Sequence, residues 1–265
     1  MKVQPYTLDQ VLGEQKRVFL DRNIYLPQGI GNWYGKIVYN RQFHELDKDL
    51  LLEVNDSLKQ EITLWYQPTT FSTEKVVEEI RIFNQILQER LDYFRRNLKR
   101  RRSKSGGIPP TVNGHPFLRV CNNHATILQA ATSSLYKPRN QDVFEVLEDL
   151  VISVGRETSA KIDFSKRHGN RKRNNVDLHT DEQVVAAAIY SSVVENTPCA
   201  IVTPDSDHQR LLAGVQRYAH KTDIHLGSKS LSEALLEHSV QVYFVEDENK
   251  VWCRADTANH QISNR

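Results

Sequence analysis

The amino-acid sequence predicts an α/β protein: a central, mainly parallel sheet flanked by helices. Three observations lead there. Two short apolar runs of strand length, Val18-Phe19-Leu20 and Cys199-Ala200-Ile201-Val202, each give way to a polar residue within a few positions. Long stretches between them carry apolar residues at helical spacing. Strands that alternate with helices imply parallel pairing, because a helical crossover returns the chain to the same edge of the sheet.

In chain order, the first strand is expected over 18–20, ending at Asp21. "FHELDKDLLLEVNDSLKQE" (43–61) reads as a helix, with Asn55 as the point where a break could fall. "ITLWYQP" (62–68) is β-branched, aromatic and closed by Pro68, and is expected as a second strand. A long helix follows over about 73–100, with Val76, Ile80, Phe83, Leu87, Leu91, Phe94 and Leu98 on one face. Ser72 or Thr73 can cap it, and "SKSGGIPP" (103–110) breaks it. "HATILQAATSSLY" and "DVFEVLEDLVISV" read as two further helices. Thr180 and Gln183 form a capping-box pattern that sets Asp181 at the first position of the next helix. "CAIVTPD" (199–205) is a strand, "SDHQRLLAGVQRYA" the helix after it, and Ser230 with Glu233 caps a short helix. The chain closes with a β-hairpin over 240–256.

Composition narrows the class. With 265 residues, 39% of them apolar and 26% charged, the chain can form one large soluble domain. No apolar run reaches the roughly 20 residues that span a bilayer, so no membrane association is expected. The N-terminal "MKVQPYTLDQ" lacks the apolar core of a signal peptide. The three cysteines, odd in number and without a C-x-x-C pair, argue against a disulfide framework and for reduced thiols in a cytoplasmic protein. Cys121-Asn-Asn-His124 has no partner pair at zinc-finger spacing, and "LPQGIGNWYG" lacks the spacing of a dinucleotide loop.

The formal charge of +2 hides a segregation. Arg95, Arg96, Lys99, Arg100, Arg101, Arg102 and Lys104 form one basic tract, and Lys166, Arg167, Arg171, Lys172 and Arg173 another. Together they hold 12 of the 35 basic residues and no acid, which leaves the remainder acidic. Such segments suit a polyanion, although a solvated loop explains either tract alone.

Carboxylates recur at the ends of these elements. Asp21 and Asp205 follow apolar strands, Glu79 lies in the second turn of the long helix, and Asp181 opens a helix. Ligands of open α/β sheets bind beyond the carboxyl ends of the strands. A convergent cluster of acids repels itself unless a cation neutralises it. Taken singly, each acid has a structural alternative: Asp181 can complement a helix dipole, and Asp205 can cap a helix.

"VFLDRNIYL" resembles the first motif of PIN-domain nucleases, and "STEKVVEEI", "DEQVVAAA" and "AIVTPDSD" resemble the next three, in the family's order. The resemblance covers about half of the chain. It implies a PIN-like three-layer fold over 1–265, with a helical and basic insertion at 101–175 and the C-terminal hairpin. It also implies an acidic quartet of Asp21, Glu79, Asp181 and Asp205, with Asp207 as a further metal ligand and Asn23 and Thr203 in support. Glu78 competes with Glu79, and Asp177 with Asp181. The activity implied is metal-dependent endonucleolytic hydrolysis of phosphodiesters with Mg2+ or Mn2+, on RNA ahead of DNA. The two basic tracts are then expected to bind the nucleic-acid backbone. The alternative is a non-catalytic scaffold of the same type that binds nucleic acid or protein.

Overall fold

The computed structural model describes residues 7–21, 48–105, 115–159, 179–204, 207–221, 224–226, 229–238, 240–247 and 250–253. Helix α1 (Leu8–Glu14) is closed at its start by a capping box from Thr7 and Gln10 and leads into strand β1 (Arg17–Leu20). There follow α2 (Lys48–Trp65), β2 (Thr70–Phe71), α3 (Glu74–Ser105), α4 (Pro116–Ser133) and α5 (Gln141–Ser159). Helix α6 (Thr180–Ile189) runs into a π-helical turn (Tyr190–Val194). The chain ends with β3 (Cys199–Thr203), α7 (Asp207–Ala219), β4 (His225–Leu226), β5 (Lys229–Ser230), α8 (Leu231–Glu237), β6 (Gln241–Asp247) and β7 (Lys250–Cys253). None of the described helices is long and apolar enough to cross a membrane.

The chain divides into two compact units. The first, residues 1–24, 68–76 and 135–265, contains a five-stranded sheet of order β2-β1-β3-β6-β7. Its first four strands are parallel, and β7 joins β6 as an antiparallel hairpin. Val18, Phe19 and Leu20 pair with Ala200, Ile201 and Val202, and all six side chains are buried. Such continuous apolar runs belong to strands covered on both faces. The expected α/β class, with a mainly parallel sheet and flanking helices, is therefore present. Ser230 accepts from the Glu233 amide and completes the capping box expected for α8.

Three helices of this unit set the position of the site. Helix α5 packs against both α6 and α7. It approaches closely at Gly155, where an added Cβ would meet Glu182 Oε1 at 3.0 Å and Leu211 at 3.2 Å. Gln183 fastens α6 further: its Oε1 accepts from the Lys75 amide at 2.8 Å and its Nε2 donates to Glu148 at 3.2 Å. The expected capping box of Thr180 and Gln183 is therefore not formed. The residue before the helix is His179, in the left-handed region at φ 50°, and it makes no side-chain cap. Asp181 becomes the second residue of the helix rather than the first.

The second unit, residues 25–67 and 77–134, is built from α2, the greater part of α3, and α4. The stripe read from the sequence of α3 is buried at Ile80, Phe83, Leu87, Leu91 and Phe94. Two expectations change here. Asn55 does not break its helix: its Nδ2 donates to Leu51 O at 2.7 Å and to Pro116 O at 3.0 Å, tying α2 to the start of α4. Residues 62–65 are not a strand. They extend α2, because Leu58, Glu61, Leu64 and Trp65 continue its buried face, and burial on a helical stripe outweighs β propensity. The strand that follows is the two-residue β2.

Candidate metal centre

The carboxyl ends of β1 and β3 lie side by side in the first unit, Leu20 opposite Val202. Asp21 is the first residue past β1, and its amide still donates to Val202 O at 3.1 Å, so the ladder fixes its backbone. Its side chain is buried, and the Thr203 hydroxyl donates to its Oδ2 at 2.9 Å. A hydroxyl aimed at one carboxylate oxygen holds the carboxyl in one rotation. Thr203 is the residue for which the resemblance implies a supporting role.

Asp181 arrives from α6 and His208 from the first turn of α7. One ligand atom each from Asp21, Asp181 and His208 lie within 4.8 Å of one another. A point then exists within about 2.8 Å of all three, against metal–ligand distances near 2.0–2.2 Å, so shifts of under about 1 Å close the group on an ion. These three residues can hold a metal ion.

His208 is 0% exposed, and neither ring nitrogen has a hydrogen-bond partner. Its Nε2 stands 3.8 Å from Asp181 Oδ1, too far for a hydrogen bond. A buried polar atom without a partner costs about 1–3 kcal/mol; Asn84 Oδ1 and Tyr136 Oη also lack a hydrogen bond, and what distinguishes His208 is that both its ring nitrogens do and that it adjoins two carboxylates. Sequence reasoning missed this histidine. Its only signal is its place one residue after Asp207, at the start of the helix that follows a strand and an acidic loop.

The structure brings together Asp21 and Asp181 of the expected quartet. Asp205 and Asn23 lie outside the described residues, as do the competitor Asp177 and the basic residues Lys166, Arg167, Arg171, Lys172 and Arg173. Asp207 opens α7, and its Oδ1 accepts from Arg210 at 3.2 Å. Glu79 is half-buried on α3 in the second unit; its competitor Glu78, on the same helix, pairs with Arg81. In the first basic tract, Arg95 and Arg96 are exposed, and Arg95 donates to Asp92 at 3.3 Å. The side chains of Lys99, Arg100, Arg101, Arg102 and Lys104 lie outside the described residues.

The described thiols take no part in this chemistry. Burial pushes both Cys121 and Cys199 up to about 12, and Cys199 Sγ donates to Ala188 O at 3.1 Å. A thiol so far above neutral pH is a small apolar side chain rather than a nucleophile.

No family model matches the chain. Comparison with curated proteins and with solved structures likewise returns no match.

Proposed function

We propose that the protein is a metal-dependent nuclease of PIN type, hydrolysing phosphodiesters at the site built on Asp21 and Asp181, with RNA ahead of DNA as substrate. One observation carries the reading. Two acids singled out by motif order, from segments 160 positions apart in the chain, converge with a buried histidine beyond the carboxyl ends of parallel strands. Acids that merely cap helices have no reason to meet.

Asp21, Asp181 and His208 would hold a divalent ion, which would supply Lewis acidity and an activated water at neutral pH. The chain's own residues do the rest. Asp21 and Asp181 would neutralise the charge of such an ion, and the Thr203 hydroxyl holds the Asp21 carboxyl in one orientation. The exposed arginines of α3 hold the phosphate backbone by charge, which gives affinity without reading sequence.

The test is cleavage of single-stranded and structured RNA and DNA with Mg2+ or Mn2+ added to chelator-treated protein. Asp21→Asn is expected to abolish cleavage while the metal-free protein melts at the same temperature or slightly higher, since one of two neighbouring charges is removed. Nucleic-acid binding without metal-dependent cleavage would leave the scaffold alternative standing and end the catalytic one.

A further inference from the structure

We propose that the site is a mixed nitrogen–oxygen centre in which the His208 imidazole ligates the ion beside Asp21 and Asp181, so that it binds Zn2+ or Mn2+ ahead of Mg2+. The inference rests on the metal-site reading given above and is independent of what the metal does there.

Three observations converge on His208. Its ring is enclosed, yet neither nitrogen has a hydrogen-bond partner, so the unprotonated nitrogen keeps a lone pair to offer an ion. Its Nε2 lies 3.8 Å from Asp181 Oδ1. Two donors each about 2.1 Å from one ion are about 3.4 Å apart at a tetrahedral angle and about 4.2 Å apart when opposite, so 3.8 Å falls between those limits. Finally, the elements that present the donors are tied together: α5 packs on both α6 and α7, and Asp21 is fixed by the sheet and by Thr203.

The donor set decides the metal. Mg2+ takes oxygen ligands in near-ideal octahedral geometry and keeps several waters. An imidazole nitrogen is a softer donor that suits first-row transition ions, whose affinities for nitrogen-containing sites climb from Mn2+ to Cu2+ and fall again at Zn2+. Two carboxylates balance the charge of a divalent ion, and three protein ligands leave coordination positions for water and substrate. An all-carboxylate site, as the motif resemblance implies, makes no such selection.

The experiment uses the full chain, stripped with chelator and titrated with Mn2+, Zn2+ or Mg2+ by calorimetry, followed by pulsed electron paramagnetic resonance of the Mn2+-loaded protein. Mn2+ and Zn2+ should bind at least about 10-fold more tightly than Mg2+, and the Mn2+ spectrum should show a nitrogen coupling. That coupling should vanish in His208→Gln. If this variant does not fold, loss of the same coupling with Asp21→Asn ties it to this group. Equal affinity for Mg2+, or bound Mn2+ without nitrogen coupling, overturns the mixed-ligand centre even if cleavage is observed. Nitrogen coupling without cleavage of any nucleic acid upholds the centre and removes the nuclease reading. Failure to bind any of the three ions removes both.

Discussion

The two ends of strands β1 and β3 handle polar side chains in opposite ways. At the amino end, Arg17 pairs with Glu195, donates to Ser191 at 3.0 Å, and lies over the rings of Phe71 and Tyr136. Glu195 is nearly enclosed and also accepts from the Arg139 amide at 3.3 Å. Burial and the neighbouring Glu195 raise the Tyr136 hydroxyl well above its ordinary range, so it stays protonated. Charge there is met by charge. At the carboxyl end two acids stand together with an imidazole that has no hydrogen-bond partner. In the first arrangement opposite charges of the chain meet, and in the second the ligand atoms converge closely enough to hold an ion. Both are buried polar clusters on the same two strands, so burial alone does not mark a site; the convergence of ligand atoms from distant segments does.

That contrast can be broken from either end. Glu195→Gln should act on stability, since it leaves Arg17 without its counter-charge. The expected loss is about 3 kcal/mol, a fall of about 6–12 °C in melting midpoint for a chain of this size. Metal affinity should be unchanged. If calorimetry instead shows weaker metal binding, the two ends are coupled and the division drawn here fails.

Thr203→Val keeps the shape of the side chain and removes the hydroxyl that orients Asp21. Metal affinity should fall about 10-fold or somewhat more, while thermal stability without metal changes by only about 1 kcal/mol. Unchanged affinity would show that the strand ladder alone orients the carboxyl.

The smallest effect belongs to the basic tract of α3. Replacing Arg100, Arg101 and Arg102 with glutamine should weaken binding of long nucleic acids and reduce the slope of log affinity against log salt by up to about 3 contacts' worth. Cleavage of very short oligonucleotides should hardly change. Equal losses on short and long substrates would assign the tract a role in catalysis or folding rather than in anchoring.

Much of this was legible in the sequence wherever one local pattern decided the outcome. The stripe from Val76 to Phe94 fixes a helix because the buried positions are spaced for one, and the apolar runs before Asp21 and Asp205 have strand length and no helical alternative. Residues 62–65 were misread because Ile62, Thr63 and Trp65 favour strands locally, whereas the deciding fact, their continuity with the buried face of α2, depends on what packs against it. Gln183 was misread for a similar reason: the box with Thr180 is a local option, and Lys75 and Glu148 offer the amide better partners from elsewhere in the chain. Asp21 and Asp181 stood out because motif order flags acids. His208 did not, because a single histidine after an acidic loop gains meaning only when three distant segments meet.

Those distances set the moment at which the site can come into being. Asp21 and the hydroxyl that orients it are 182 positions apart, and β1, whose other neighbour β2 follows early, has to wait for β3 before the ladder beside the site can form. The side of β1 that faces β3 therefore stays open while most of the chain is synthesised, at about 5–20 residues per second, and closing so long a loop is slow. No partial chain that stops short of α7 can contain the site. An ion held by Asp21, Asp181 and His208 would accordingly be loaded late in the life of a new molecule, and its capture would report that the first strand and the late helix have reached their native places.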